Sequence, residues 1–275
     1  WDWFPSVAAA WRISEENFMQ KYNWLSNLKL RTSFGYTGNN NIRAFSKLSW
    51  PSVQNWYGFG NELAMGYAPN GIVYPPELTW EKTRELNIGL DFGFLRNRIS
   101  GTIDYYNKLS KDLLMDRIIP MEAGIHNSRA KDNIGSVRNS GIEVGLSTVN
   151  IATKNVTWST SFTFSKNNNK IVELYGAKED DLANRWFIGE PIKVAYTYVN
   201  DGIVGKQEAQ TDLMKKWGLR EGNLKVKDLS GPDGVPDGVI SADDRTITGD
   251  AFPNWIGNFS TNLKVYNFDF ALNIY

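Results

Sequence analysis

The chain has no cysteine and a single histidine among its 275 residues. The first absence excludes thiol catalysis, a cysteine-built zinc site and any disulfide framework, and it suits a polypeptide that crosses an oxidising compartment. The second leaves His126 as the one imidazole. No nucleophile motif such as G-x-S-x-G accompanies it, so a Ser-His-Asp machine lacks its elbow, and His126 reads as a solvated loop residue. An excess of charge of either sign is missing too: Lys plus Arg and Asp plus Glu stand at 30 each. Without a basic field to draw in phosphate backbones, the chain is not expected to bind nucleic acid. No run approaches the ~18 apolar residues of a transmembrane helix, and no charged-then-apolar start marks a signal peptide. Phosphate-cradling glycine loops and dinucleotide fingerprints are absent as well, and no repeat of fixed length points to a propeller or solenoid.

What is present is alternation. From Leu86 to Phe94 the apolar Leu86, Ile88, Leu90, Phe92 and Phe94 interleave with Asn87, Gly89, Asp91 and Gly93, a period of two that belongs to strands. After Leu95-Arg96-Asn97-Arg98, Ile99, Gly101, Ile103 and Tyr105 oppose Ser100, Thr102, Asp104 and Tyr106. The pair reads as a long antiparallel hairpin. In a soluble sandwich the apolar face would be a core and strands would stop at ~5–6 residues. In an outer-membrane barrel it would face lipid, and crossing takes ~9–11 residues. These segments fit the longer class. Aromatics at 13%, with eleven Trp, also suit interfacial girdles.

Further strands are expected over residues 3–13, 28–36, 142–148, 156–164, 192–204, 257–266 and 267–275. A short helical turn should join the first two, starting near Ser14-Glu15-Glu16. Residues 38–83 and 109–137 read as long loops, and 167–253 as a Gly- and Asp-rich excursion. Long loops on one side and short links on the other are the asymmetry of outer-membrane barrels. The fold expected is all-β: an antiparallel transmembrane β-barrel, partial, with roughly nine strands of a larger barrel and long extracellular loops.

Several blocks carry a resemblance. LTWEKTRELNIGLDFGFLRNRISGTIDYYN is similar to the C-terminal barrel of the SusC/RagA family of TonB-dependent transporters, and FPSVAAAWRISEE, LKLRTSFGYTGNN and NIGSVRNSGIEVGL resemble other blocks of that family in the same order. The similarity spans nearly the whole chain. Nothing resembles the family's signal peptide, TonB-contacting segment or plug, so residues 1–275 read as a fragment of the barrel domain. The resemblance implies a multi-pass protein of the cell outer membrane. It would import a large nutrient, an oligosaccharide first and a peptide second, with a TonB complex as energy source and a SusD-like surface lipoprotein as partner. A soluble glycan-binding β-sandwich is the alternative, and an enzyme a distant third.

On this reading Leu90, Phe92 and Phe162 face lipid, while Arg31, Asp91, Asp104, Glu143 and Ser161 face the lumen. Asp91, Asp104 and Glu143 could in principle be paired catalytic carboxylates, but they project from separate strands of a polar wall. The loop aromatics Trp50, Trp56, Tyr57, Trp80 and Trp186 could stack on a sugar or contact a partner, since a ring offers an apolar face with a polar handle; packing among themselves is the plainer account. In residues 227–249 the family resembles a D-x-N-x-D-G-x-I-D-x-x-D calcium loop, in which clustered oxygens surround a hard cation. Here the match is interrupted after Asp228-Leu229-Ser230-Gly231. Starting at Asp233 restores the spacing and would set Asp233, Asp237, the Val239 carbonyl, Ser241 and Asp244 at ligand positions for Ca2+, with Val235 where an oxygen is wanted. A solvated loop of Asp-Gly turns is the competing reading.

Overall fold

A computed structural model describes residues 2–40, 51–59, 62–69, 78–118, 129–231 and 235–275. The chain divides into two compact units, residues 1–192 with 254–275, and residues 193–253. The first is built on one antiparallel sheet of eight strands: β1 (Ser6–Arg12), β2 (Leu25–Asn39), β5 (Glu81–Phe94), β6 (Ile99–Ile118), β7 (Arg129–Ala152), β8 (Val156–Leu174), β13 (Ile256–Val265) and β14 (Phe268–Ile274), in that spatial order. A hairpin of β3 (Pro51–Phe59) and β4 (Glu62–Pro69) lies between β2 and β5 in sequence.

Register carries the alternation from strand to strand. Leu30, Leu90, Ile103, Val144 and Phe164 are successive cross-strand partners, and so are Arg31, Gly89, Asp104, Glu143 and Ser165 one position away. Because side chains alternate faces, every apolar row falls on one side and every polar row on the other. The apolar side stays open: Ile88 is 43% exposed, Phe162 41% and Phe259 40%. Among the described residues no second sheet covers it, and a sandwich would require one.

Short links gather at one end of the sheet: a 3-10 turn at Ile13–Glu15, the turn at residues 95–98, residues 153–155 and residues 266–267. Leu95, Arg96 and Asn97 all have φ between 54° and 60°, a left-handed run that non-glycine residues resist. Its anchors are the Leu95 N–H on the Trp24 carbonyl (2.7 Å), the Asn97 N–H on Ser26 Oγ (3.1 Å), and Arg98 donating to the carbonyls of Val149 and Asn150. Aromatic rings band both ends of the wall. Trp24 contacts both Tyr22 and Phe94 at the turn end, and Phe4 meets Trp80, and Phe164 meets Trp255, at the other.

Of residues 109–137, expected as a loop, 109–118 instead extend β6 and 129–137 begin β7, with 119–128 outside the described residues, and β8 runs ten residues past Phe164 to Leu174. These arms lie beyond the length a bilayer needs, where alternation is no longer demanded, so the sequence signal fades while the ladder continues. On the arms Met115, Val137, Ile171 and Leu174 form a buried cluster, covered by Leu113, Ile134, Trp186, Ile188 and Ile192.

The second unit contains β9 (Val194–Tyr198) paired with β12 (Arg245–Asp250), and β10 (Asn200–Ile203) paired with β11 (Leu224–Val226). A one-turn helix, α1 (Asp212–Lys216), starts at Thr211, whose hydroxyl accepts from the Met214 N–H. It ends where Gly218 takes φ +69° and the Leu219 N–H reaches back to the Met214 carbonyl. Among the described residues of this unit, Val204 and Met214 are the buried apolar side chains.

Two outcomes follow. Placing Arg at Leu90 in the full-length protein should cost ~2–4 kcal/mol near the membrane midplane and reduce the folded, heat-modifiable fraction on gels, whereas Ser147→Arg on the opposite face should assemble normally; equal behaviour would argue against a membrane wall. Asp91, a natural polar-face probe from sequence, is unsuitable because Arg31 holds it. The isolated chain in detergent should not give a sharp, heat-resistant monomeric barrel, because β1 and β14 each pair on one side only and lipid does not tolerate unpaired backbone.

Candidate functional site

The polar face of the wall carries the organised chemistry. Arg31 on β2 donates through Nε to both oxygens of Asp91 on β5 (2.9 and 3.0 Å), and through Nη2 to both oxygens of Asp104 on β6 (3.0 and 3.2 Å). Reaching Asp104 means crossing an intervening strand, and Gly89 is the residue crossed. A Cβ there would lie 2.7 Å from Arg31 Cζ and would collide with Asp104 Oδ1. Glu143 is the cross-strand partner of Asp104. Further along, Lys108 pairs with Glu85 at 3.3 Å.

Next to the charges lies a neutral network that sequence reading did not single out. Tyr106 Oη donates to Asn167 Oδ1 (3.0 Å), and the amides of Asn167 and Asn169 both donate to Asn139 Oδ1 (3.3 and 2.8 Å). Gly141 makes room, since a Cβ there would lie 2.6 Å from Tyr106 Oη. The Ser161 and Ser260 hydroxyls meet at 2.6 Å. Strand parity was the available signal: Tyr106 shares the parity of Asp104, and Asn139 that of Glu143. No catalytic nucleophile–base pair is formed among these groups; the surface can bind polar solutes through fixed donors, acceptors and charges.

The loop aromatics separate. Trp80 packs against Phe4 at 5.7 Å between ring centroids, and Trp186 packs on the arm cluster. Trp56 and Tyr57 lie in β3, opposite Met65 and Ala64. Trp50 and His126 lie outside the described residues. The segment that holds Trp186 is tied by Asp181, which accepts from Tyr175 Oη (2.6 Å) and from the side chain and N–H of Asn184. Burial, then the bond to Asp181, pushes the Tyr175 phenol up to about 12. Its folded value lies above its ordinary one, so its contribution is complete below about 10 and is lost only as pH rises through about 12.

The acidic loop of the second unit is closed from within. Asp244 is fully buried; one oxygen accepts from the N–H groups of Leu229 (2.8 Å) and Ser230 (3.1 Å), the other from Ser241 (2.7 Å). Ser241 Oγ accepts from the Asp243 N–H, completing a capping box, and Asp237 Oδ1 accepts from the Val239 N–H. Asp233 lies outside the described residues. Among those described, no three carboxylate or imidazole groups gather to hold a metal, and Asp244, the last position of the calcium set, spends both oxygens on backbone N–H groups. Asp228 Oδ2 accepts from the Gly238 N–H (2.6 Å), while its Oδ1 is buried without a partner among the described residues.

The family described as TonB dependent receptor-like, beta-barrel matches residues 1–274. This chain belongs to that family. It is 34% identical to TonB-dependent receptor P26 of Formosa agariphila over 98% of its own length and 27% of that protein's. It is 40% identical to TonB-dependent receptor SusC of Bacteroides thetaiotaomicron over 66% of the chain and 18% of SusC. Among solved structures it superposes on the RagAB peptide transporter with a TM-score of 0.77, at 27% identity, over 99% of the chain and 29% of that one. The chain therefore spans less than a third of the length of the relatives it matches. The family is one of outer-membrane barrels, a setting that suits the wall's open apolar face.

In the full-length receptor, Gly89→Ala should break the Arg31–Asp104 bond while sparing Arg31–Asp91. Arg31→Met should do more, leaving two carboxylates side by side with no cation. The groups are partly solvated, so a loss of about 1–2 kcal/mol is expected, read as a lower denaturant midpoint; equal effects from both variants would refute the bridging role of Gly89. For Asp244, the backbone N–H groups of Ser241, Ser230 and Leu229 hold its carboxyl below the usual range against the opposing effect of burial. A depressed folded value means stability present above about 3.9 and lost as pH falls through the folded value. Protection factors against hydrogen exchange at Leu229, Ser230 and Ser241, taken relative to the intrinsic rate at each pH, should fall in acid and in Asp244→Ala, and not in Asp237→Ala.

Proposed function

We propose that this barrel segment belongs to an energy-coupled importer of large nutrients, with a TonB complex as its energy source, a SusD-like surface lipoprotein as its outer partner, and no catalytic activity. The two-faced wall carries the reading: an apolar side for lipid and a side of ion pairs, amides and hydroxyls for a polar solute. An oligosaccharide is the first substrate class, because Ser147, Ser161, Thr163, Ser260 and the Asn139–Asn167–Asn169 amides offer neutral hydrogen-bond partners that a hydroxyl-rich solute can exchange between. A peptide is the second, favoured by the likeness to the RagAB peptide transporter.

Deleting the full-length gene should abolish uptake of one of these nutrient classes by whole cells. Re-expression should restore it, and collapsing the proton-motive force should abolish it again. Uptake that survives the uncoupler would defeat the energy-coupled reading. Affinity purification of the receptor should bring down a surface lipoprotein, and its absence under gentle detergent would remove the partner from the scheme.

A further inference from the structure

The second unit holds a hollow of about 340 Å³ lined by Lys216, Trp217, Leu219, Leu224, Val226, Val239 and Ile240. Its size lies in the range of small-ligand sites. The Trp217 indole is pinned as a wall, its Nε1–H donating to the Gly238 carbonyl at 2.9 Å. Apolar surface around the mouth is left open to an unusual degree: Leu224 is 66% exposed, its cross-strand partner Ile203 65%, and Val239 45%. A lone exposed Leu needs no explanation, but a cross-strand apolar pair beside an apolar hollow marks a surface that gains by being covered.

One group in the lining is charged. Lys225 is engaged by Glu208 and Asp201, and Lys215 by Asp212. Lys216 has no ion-pair partner among the described residues, and its Nζ lies against Gly238, where an added Cβ would be 3.7 Å away. An unpaired ammonium at the edge of an aliphatic and indole-walled hollow suits a ligand that joins an apolar group to an anion. It does not suit a sugar, whose hydroxyls would meet Leu219, Leu224, Val226, Val239 and Ile240 and go unpaired, at a cost for each.

We propose that this hollow binds the C-terminal residue of a peptide, with an apolar side chain against Trp217, Leu224, Val226 and Ile240 and the α-carboxylate on Lys216 Nζ. The binding event is independent of transport; its biological use rests on the peptide branch of the importer reading. The full-length receptor in detergent would be titrated by calorimetry with Ser-Gly-Ser-Gly-Leu, the same peptide as its C-terminal amide, Ser-Gly-Ser-Gly-Ser, and octanoate. The Leu acid should bind about tenfold or more tightly than its amide, from the lost charge-assisted bond, and more tightly than the Ser peptide, from the lost apolar burial. Lys216→Met should bring the acid down to the level of the amide and leave the amide unchanged. Leu224→Asp should abolish both, and because Leu224 is largely exposed the variant folds normally.

Equal affinity for acid and amide, or no effect of Lys216→Met, would overturn the proposal. Octanoate binding more tightly than the Leu peptide would replace the peptide with a fatty acid. Peptide binding that obeys these rules while whole-cell peptide uptake is absent would defeat the peptide branch of the importer reading and leave the pocket standing.

Discussion

A backbone N–H or C=O that faces lipid has no water to fall back on, and this constraint organises the first unit. Each unpaired group would cost several kcal/mol in the hydrocarbon, so the strands within the wall are laddered on both sides, from β2 through to β13, in unbroken antiparallel order. Once the ladder is continuous, the two faces have separate solvents and the side chains sort by parity. The apolar rows need only be apolar, which is why Leu, Ile, Val, Phe and Thr mix freely along them. The polar rows face a compartment where chemistry can be built, and Arg31 and Tyr106 build it.

Within that frame, glycine makes the cross-wall contacts possible. At Gly89 the missing Cβ lets one guanidinium link three strands, and at Gly141 it lets a phenol reach an amide on the second strand over. Each is a long-range polar contact on a half-wet surface, so each is worth little alone. Their common effect is to fix where donors and acceptors sit, which a binding surface needs more than it needs stability.

Legibility in the sequence followed the medium. The stretch from Leu86 to Tyr105 was readable residue by residue, with its turn at residues 95–98, because lipid on one side and water on the other enforce the alternation. The arms of β6, β7 and β8 beyond Leu109, Gly135 and Phe164 were not, because both of their faces leave the bilayer and the pattern relaxes while the hydrogen bonds continue. Arg31, Asp91 and Asp104 could be assigned to one face by parity, but not their mutual bonds: those depend on register across three strands and on a glycine whose role is an absence. In the acidic loop, the composition suggested ligands, yet Asp244 serves the chain's own N–H groups, and spacing alone cannot tell a carboxylate that binds metal from one that caps a turn. The Lys216 hollow is assembled from the end of α1, from β11 and from the acidic loop, and no local pattern announces it.

The β9–β12 ribbon has a consequence for how the wall is closed during folding. Pairing β8 with β13 requires the chain to return from Leu174 to Ile256, and an unstructured connection of that length carries an entropic penalty that grows with the logarithm of its length. The ribbon pairs Val194 with Asp250, and the Ala251 N–H donates to the Lys193 carbonyl at 3.1 Å, so the two ends of the second unit meet when it folds. A unit that has already folded acts as a short tether rather than a long loop. Relative to a disordered insertion this lowers the closure cost by about 1 kcal/mol, roughly 0.6 for each of the two halvings of loop length. A module that brings its own two ends together can therefore hasten the joining of β8 and β13, the strands that flank it in sequence.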